Sequence, residues 1–170
     1  MLLTSAKEGF PILEGAVGET PSLPETIRIG GLEIRFLESG TSSTAGGLDV
    51  FEMTVQPNAR VPVPHHHETW EETVYGLAGE LTFRIADQEV TLTPGQTAFI
   101  PRGVVHGFRN DGTETGKCLC ILTPGVLGPG YFREIGTLLA QTPPDMARIK
   151  ETMLRYGLVP MPPVPPASAD

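Results

Sequence analysis

Between residues 26 and 123 apolar and polar positions alternate with the period of two that a β-strand imposes. Thr26-Ile27-Arg28-Ile29 and Leu32 to Leu37 alternate on either side of Gly30-Gly31, a two-residue hairpin signal. After a polar Gly/Ser/Thr loop from Glu38 to Gly47, Val50 to Val55 repeats the pattern. Glu72 to Leu77 and Glu80 to Ala86 flank the turn at Ala78-Gly79, and Asp87-Gln88 leads into Glu89 to Leu92. Thr97 to Ile100, Val104 to Arg109 and Lys117 to Thr123 complete a set of eight to ten short strands. That number of strands is the one a jelly roll uses, so the expected class is all-β.

The period changes after residue 124. Tyr131 to Leu139 reads as a short amphipathic helix. Thr142-Pro143-Pro144-Asp145 is a helix start, beyond which Met146, Ile149, Met153 and Tyr156 share a face until Gly157. This stripe reads as a helix packed on the outside of the sheets, with a lid over the site or a dimer contact as the alternative. Residues 1–25 carry apolar islands at Phe10 to Leu13 and Val17 within a Gly/Pro-rich stretch, which suggests an arm. The expected organisation is therefore an arm (1–25), a barrel (26–124), a helical extension (125–159) and a Pro-rich, fraying tail (160–170).

Composition narrows the partners. The net charge of -8 argues against nucleic acid and against an anionic membrane surface. No apolar run approaches the roughly 18 residues of a membrane span, and the first residues lack a basic-then-apolar leader. The expected address is the cytoplasm. Cys118 and Cys120, the only cysteines, are alternate residues of one strand and read as buried structural thiols. A bridge between i and i+2 is geometrically poor there.

Three of the four histidines are consecutive, His65-His66-His67, and the fourth is His106. On a strand His65 and His67 share a face and His66 takes the other. Glu72 is an odd number of positions from both, so a bend at Glu68 to Glu71 must intervene before it returns to them. His106 arrives from another strand after the turn at Pro101-Arg102-Gly103. Strands joined in this way bring such side chains together only in a curled sheet with an inward-facing site. Imidazoles and a carboxylate suit a borderline divalent metal.

These residues resemble the two motifs of the cupin superfamily. His65-x-His67-x4-Glu72-x6-Gly79 resembles the first, and Gly95-x5-Pro101-x-Gly103-x2-His106-x3-Asn110 the second. The glycine that opens the first motif is Ala59 here, a turn position and not a ligand. The resemblance, closest to small single-domain, quercetin-dioxygenase-like cupins, implies a double-stranded β-helix barrel with one or two short C-terminal helices. It also implies one divalent transition metal (Fe, Mn, Ni, Zn or Cu) on His65, His67, Glu72 and His106, and a homodimer. Asn110 is expected to bind backbone, and Glu71 is the fallback ligand if the register slips by one.

Strand parity and composition then suggest cavity walls from Trp70, Val74, Gly76, Phe83, Phe99 and Phe108. With no Lys or Arg obviously among the ligands, the expected partner is a small, mostly apolar or aromatic oxygen-bearing substrate. The leading expectation is a metal-dependent dioxygenase in which Glu72 doubles as catalytic base. A metal-dependent isomerase or lyase is one alternative, and a non-catalytic small-molecule- or metal-binding module the other.

Overall fold

The structure is a computed structural model that describes residues 24–61 and 63–162. The expected arm up to residue 23 and the tail from residue 163 lie outside the described residues. The strands are β1 (Thr26–Ile29), β2 (Leu32–Glu38), β3 (Asp49–Val55), β4 (His65–His67), β5 (Glu71–Ala78) and β6 (Leu81–Ile85). They continue as β7 (Gln88–Leu92), β8 (Thr97–Ile100), β9 (His106–Arg109) and β10 (Gly116–Thr123). Two helices, α1 (Gly128–Leu139) and α2 (Met146–Arg155), precede a last strand, β11 (Leu158–Pro160).

The strands form two antiparallel sheets, in the orders β1-β2-β3-β10-β5-β8 and β11-β4-β9-β6-β7. Alternation decides which side of each strand is buried. Phe51, Met53 and Val55 of β3 face the same interior as Cys118, Cys120 and Leu122 of β10, with Cys120 opposite both Phe51 and Val74. These rows, facing Leu81, Phe83 and Leu92 of the second sheet, make the core of an all-β barrel. Both cysteines are buried and free, their Sγ atoms 3.9 Å apart.

Asn110 ties the second sheet to the first. Its Nδ2 donates to the carbonyls of Val55 (2.9 Å) and Glu114 (2.8 Å), and its Oδ1 accepts from Gly112 N (2.9 Å). The side chain is fully buried, so removing it strands three polar backbone groups, each worth roughly 1–3 kcal/mol when unsatisfied. We therefore expect Asn110→Ala to lower stability by about 3 kcal/mol in urea unfolding, partial re-pairing holding the loss below the sum. A loss under about 1 kcal/mol would show the knot to be dispensable.

The helices do more than decorate the outside. Phe132 of α1 packs edge-on against Phe36 (5.8 Å between centroids) and Phe51 (5.4 Å), which seats α1 over the β2–β3 side of the barrel. Asp145 caps α2 by accepting from Ala147 N and Arg148 N, and α2 buries Ile149 and Met153. Met146, placed with them by periodicity, is exposed because it opens the helix.

Strand β11 was not anticipated by the alternation, being three residues long and containing proline. It pairs with the histidine strand, Leu158 opposite His67 and Pro160 opposite His65. As the edge of its sheet β11 tolerates a proline that a central strand would reject.

Candidate metal centre

The chain brings His65 and His106 face to face: they are direct cross-strand partners in β4 and β9. His67, two residues on, points to the same side, and the ligating nitrogens of the three lie within 4.8 Å of one another. Strand β4 is held on both edges, by β11 and by Gly103 N donating to His67 O (2.8 Å). Glu72 comes from the opposite sheet after the bend at Glu68 to Trp70. Its Oε2 stands 3.6 Å from His106 Nε2 and 4.0 Å from His67 Nε2. The four side chains thus bridge the two sheets across the barrel interior.

Two of the imidazoles have a fixed tautomer. His65 Nδ1 donates to Val63 O and His106 Nδ1 to Val104 O, both at 3.0 Å, which leaves each Nε2 with a free lone pair. Burial, reinforced by the neighbouring His106, lowers His65 from 6.5 to about 3 and His67 to about 2. Both are accordingly neutral donors over the whole physiological range. Uncharged imidazoles and a carboxylate converging in a buried space are the donor chemistry a divalent transition ion requires.

The neighbours separate cleanly. His66 lies on the other face of β4 and takes no part in the cluster. Glu71, the fallback ligand, is engaged by Arg102 at 2.5 Å on the outer side. Cys120 lines the same cavity as Glu72, and the neighbouring Cys118 thiol together with burial pushes its own thiol well up, so it stays protonated.

The cluster opens onto a cavity between the two sheets and α1. Phe83 and Phe108 line it, as parity suggested. The other four expected wall residues lie elsewhere. Phe99 is 58% exposed while Ile100 is fully buried, because the apolar run Ala98-Phe99-Ile100 on the edge strand β8 faces inward at the opposite parity. Trp70 is fully buried behind His67 and is not part of the cavity wall. Val74 packs into the core. Gly76 lies off the wall, against the β7–β8 turn: a Cβ there would sit 2.1 Å from Thr93 O, so glycine serves that close approach.

The wall is completed by residues that the strand pattern did not single out, chiefly Phe51, Met53 and Leu122 from the first sheet and Tyr131 and Phe132 from α1. The inward parity of β3 signals the first two, whereas the helix contribution needs the tertiary fold. Among the described residues no Lys or Arg lines the cavity.

Comparison with known proteins agrees with this geometry. The family model for the cupin domain matches residues 51–122. Quercetin 2,3-dioxygenase of Bacillus subtilis is 39% identical over 74 residues, 44% of this chain but only 21% of that protein's length. Protein SchB of Streptomyces halstedii is 32% identical over 102 residues, covering 60% of this chain and 72% of that protein. Among solved structures, the polyketide cyclase RemF from Streptomyces resistomycificus superposes with a TM-score of 0.53 at 27% identity, over 62% of this chain and 79% of that one.

Proposed function

The chain belongs to the cupin family, and from that premise we propose a metal-dependent, dioxygenase-like enzyme for a small apolar or aromatic substrate that carries oxygen. The observation that carries the proposal is an apolar, aromatic cavity, without a cationic side chain among the described residues, ending on three imidazoles and one carboxylate. Away from the ion, a sugar phosphate or dicarboxylate would meet only apolar walls and no cationic side chain among the described residues. The local similarity to quercetin 2,3-dioxygenase supports the same chemistry.

His65, His67, Glu72 and His106 would hold the ion. When bound it supplies a Lewis acid for a substrate oxygen and, if redox-active, a path for electrons to dioxygen. The chain's own side chains account for the rest. Phe51, Phe83 and Phe108 orient an aromatic ring and keep water out. Glu72 Oε2, the carboxylate oxygen facing the imidazoles, accepts the proton of a substrate hydroxyl.

A lyase or isomerase is the second reading, favoured by the likeness to the polyketide cyclase RemF, in which the ion would act as a Lewis acid alone. Oxygen uptake distinguishes the two. Protein loaded in turn with Fe(II), Mn(II), Ni(II) or Cu(II) is expected to consume O2 with a panel of hydroxylated aromatics headed by quercetin. Glu72→Gln should cut that rate about 10²–10⁴-fold. Undiminished turnover under strict anaerobiosis would favour the lyase, and binding without turnover across the panel would leave a non-catalytic module.

A further inference from the structure

The three histidines are not held alike. His65 and His106 are each locked by an Nδ1–H bond to a backbone carbonyl, whereas His67 Nδ1 is buried with no hydrogen-bond partner among the described residues. In place of that bond the His67 ring stacks on Trp70, 4.5 Å between centroids and 20° between planes. Trp70 is itself fully buried, and its Nε1 also lacks a partner among the described residues, so no hydrogen bond among them accounts for its position.

Packing accounts for it. Gly157, with φ +77°, brings its backbone so close to the indole that a Cβ would lie 2.8 Å from Trp70 Cζ3. Gly157 O accepts from Glu68 N at 3.1 Å, and the chain then runs straight into β11, which pairs with the histidine strand. The indole is thus clamped between His67 and the turn that starts β11.

We propose that Trp70 is a positioning residue of the metal centre: its indole face sets the orientation of the His67 ring that backbone carbonyls set for His65 and His106. The inference rests on the metal reading of the site. It gives Trp70 a role beyond packing and makes it, as the only tryptophan in the chain, a built-in reporter of ligation.

The test is a titration of the metal-stripped full chain with Ni(II), followed by equilibrium dialysis and by tryptophan fluorescence. In the wild type, fluorescence is expected to fall with the same midpoint as Ni(II) binding. Trp70→Leu should weaken Ni(II) binding about 10–100-fold, the range seen when an outer partner of a ligating histidine is lost. Trp70→Phe, which restores a ring face, should recover affinity to within about threefold of the wild type. Were Trp70→Leu unable to fold, the wild-type quenching and the Trp70→Phe affinity would decide.

Equal Ni(II) affinity in folded Trp70→Leu and wild type would overturn the proposal. So would fluorescence that does not respond to Ni(II) shown by dialysis to be bound, or a Trp70→Phe variant that folds yet binds as weakly as Trp70→Leu. Absence of Ni(II) binding by the wild type would instead remove the metal reading itself, and this inference with it.

Discussion

His106→Ala, His67→Ala and Glu72→Ala each lose most of their bound metal, while His66→Ala keeps it. The first three side chains converge on one buried point from β9, β4 and β5, so each deletion removes a donor that no neighbour replaces. His66 is the internal control, because it belongs to the same strand and faces away. Losing a ligand must cost more than losing an outer partner of one, so affinity should fall by more than about 100-fold. Equilibrium dialysis with Ni(II) or Zn(II) checks this. Equal retention in all four variants would mean that the cluster holds no ion. Equal loss in all four would point to collapse of β4 and not to removal of a donor.

The second large effect is acid sensitivity of the metal-stripped protein. His65 and His67 titrate near 6.5 when unfolded, but burial holds them at about 3 and about 2 in the fold. Below pH 6.5 the unfolded chain therefore takes up protons that the folded chain refuses. The stability contributed by the neutral histidines is full above pH 6.5 and is lost as the pH falls toward 3. Each histidine costs about 1.4 kcal/mol per pH unit in that window, so two of them remove about 5 kcal/mol between pH 6.5 and 4.5. Against a typical stability of about 5–15 kcal/mol this brings the stripped protein close to unfolding by pH 4.5. Urea midpoints at pH 7.5, 6.0 and 5.0 should show the decline. His65→Gln/His67→Gln should flatten it, whatever that substitution does to the absolute stability. A wild-type midpoint unchanged from pH 7.5 to 5.0 would contradict the burial argument.

In the fold His65 and His67 therefore take up protons only well below the ordinary histidine range. The spacing of the histidines carried no information about this. It came from the degree to which the two sheets close over them, a property of the folded interior.

The parts of the site that were legible in the sequence depend on parity along single strands. His65 and His67 must share a face and Glu72 must follow a bend, whereas the role of Asn110 came only with the resemblance to the second cupin motif. Parity fails where an apolar run has no polar residue to fix its phase. In Ala98-Phe99-Ile100 either phase buries an aromatic or a branched side chain, and pairing with β5 chose Ile100. Contacts between elements far apart in the chain were equally invisible. Nothing in Leu158-Val159-Pro160 announces that it will flank the histidines, and nothing in Tyr131-Phe132 announces that α1 will wall a cavity. Trp70 was misplaced for the same reason: its neighbour Gly157 comes from the other end of the domain.

The most direct measurement is the metal content of wild-type protein purified without chelators and then dialysed against micromolar Ni(II) or Zn(II). One equivalent of ion per chain is the expected result, falling to a small fraction when His106 is replaced by alanine. No bound ion in a correctly folded protein would contradict convergence of His65, His67, Glu72 and His106 on a single cation.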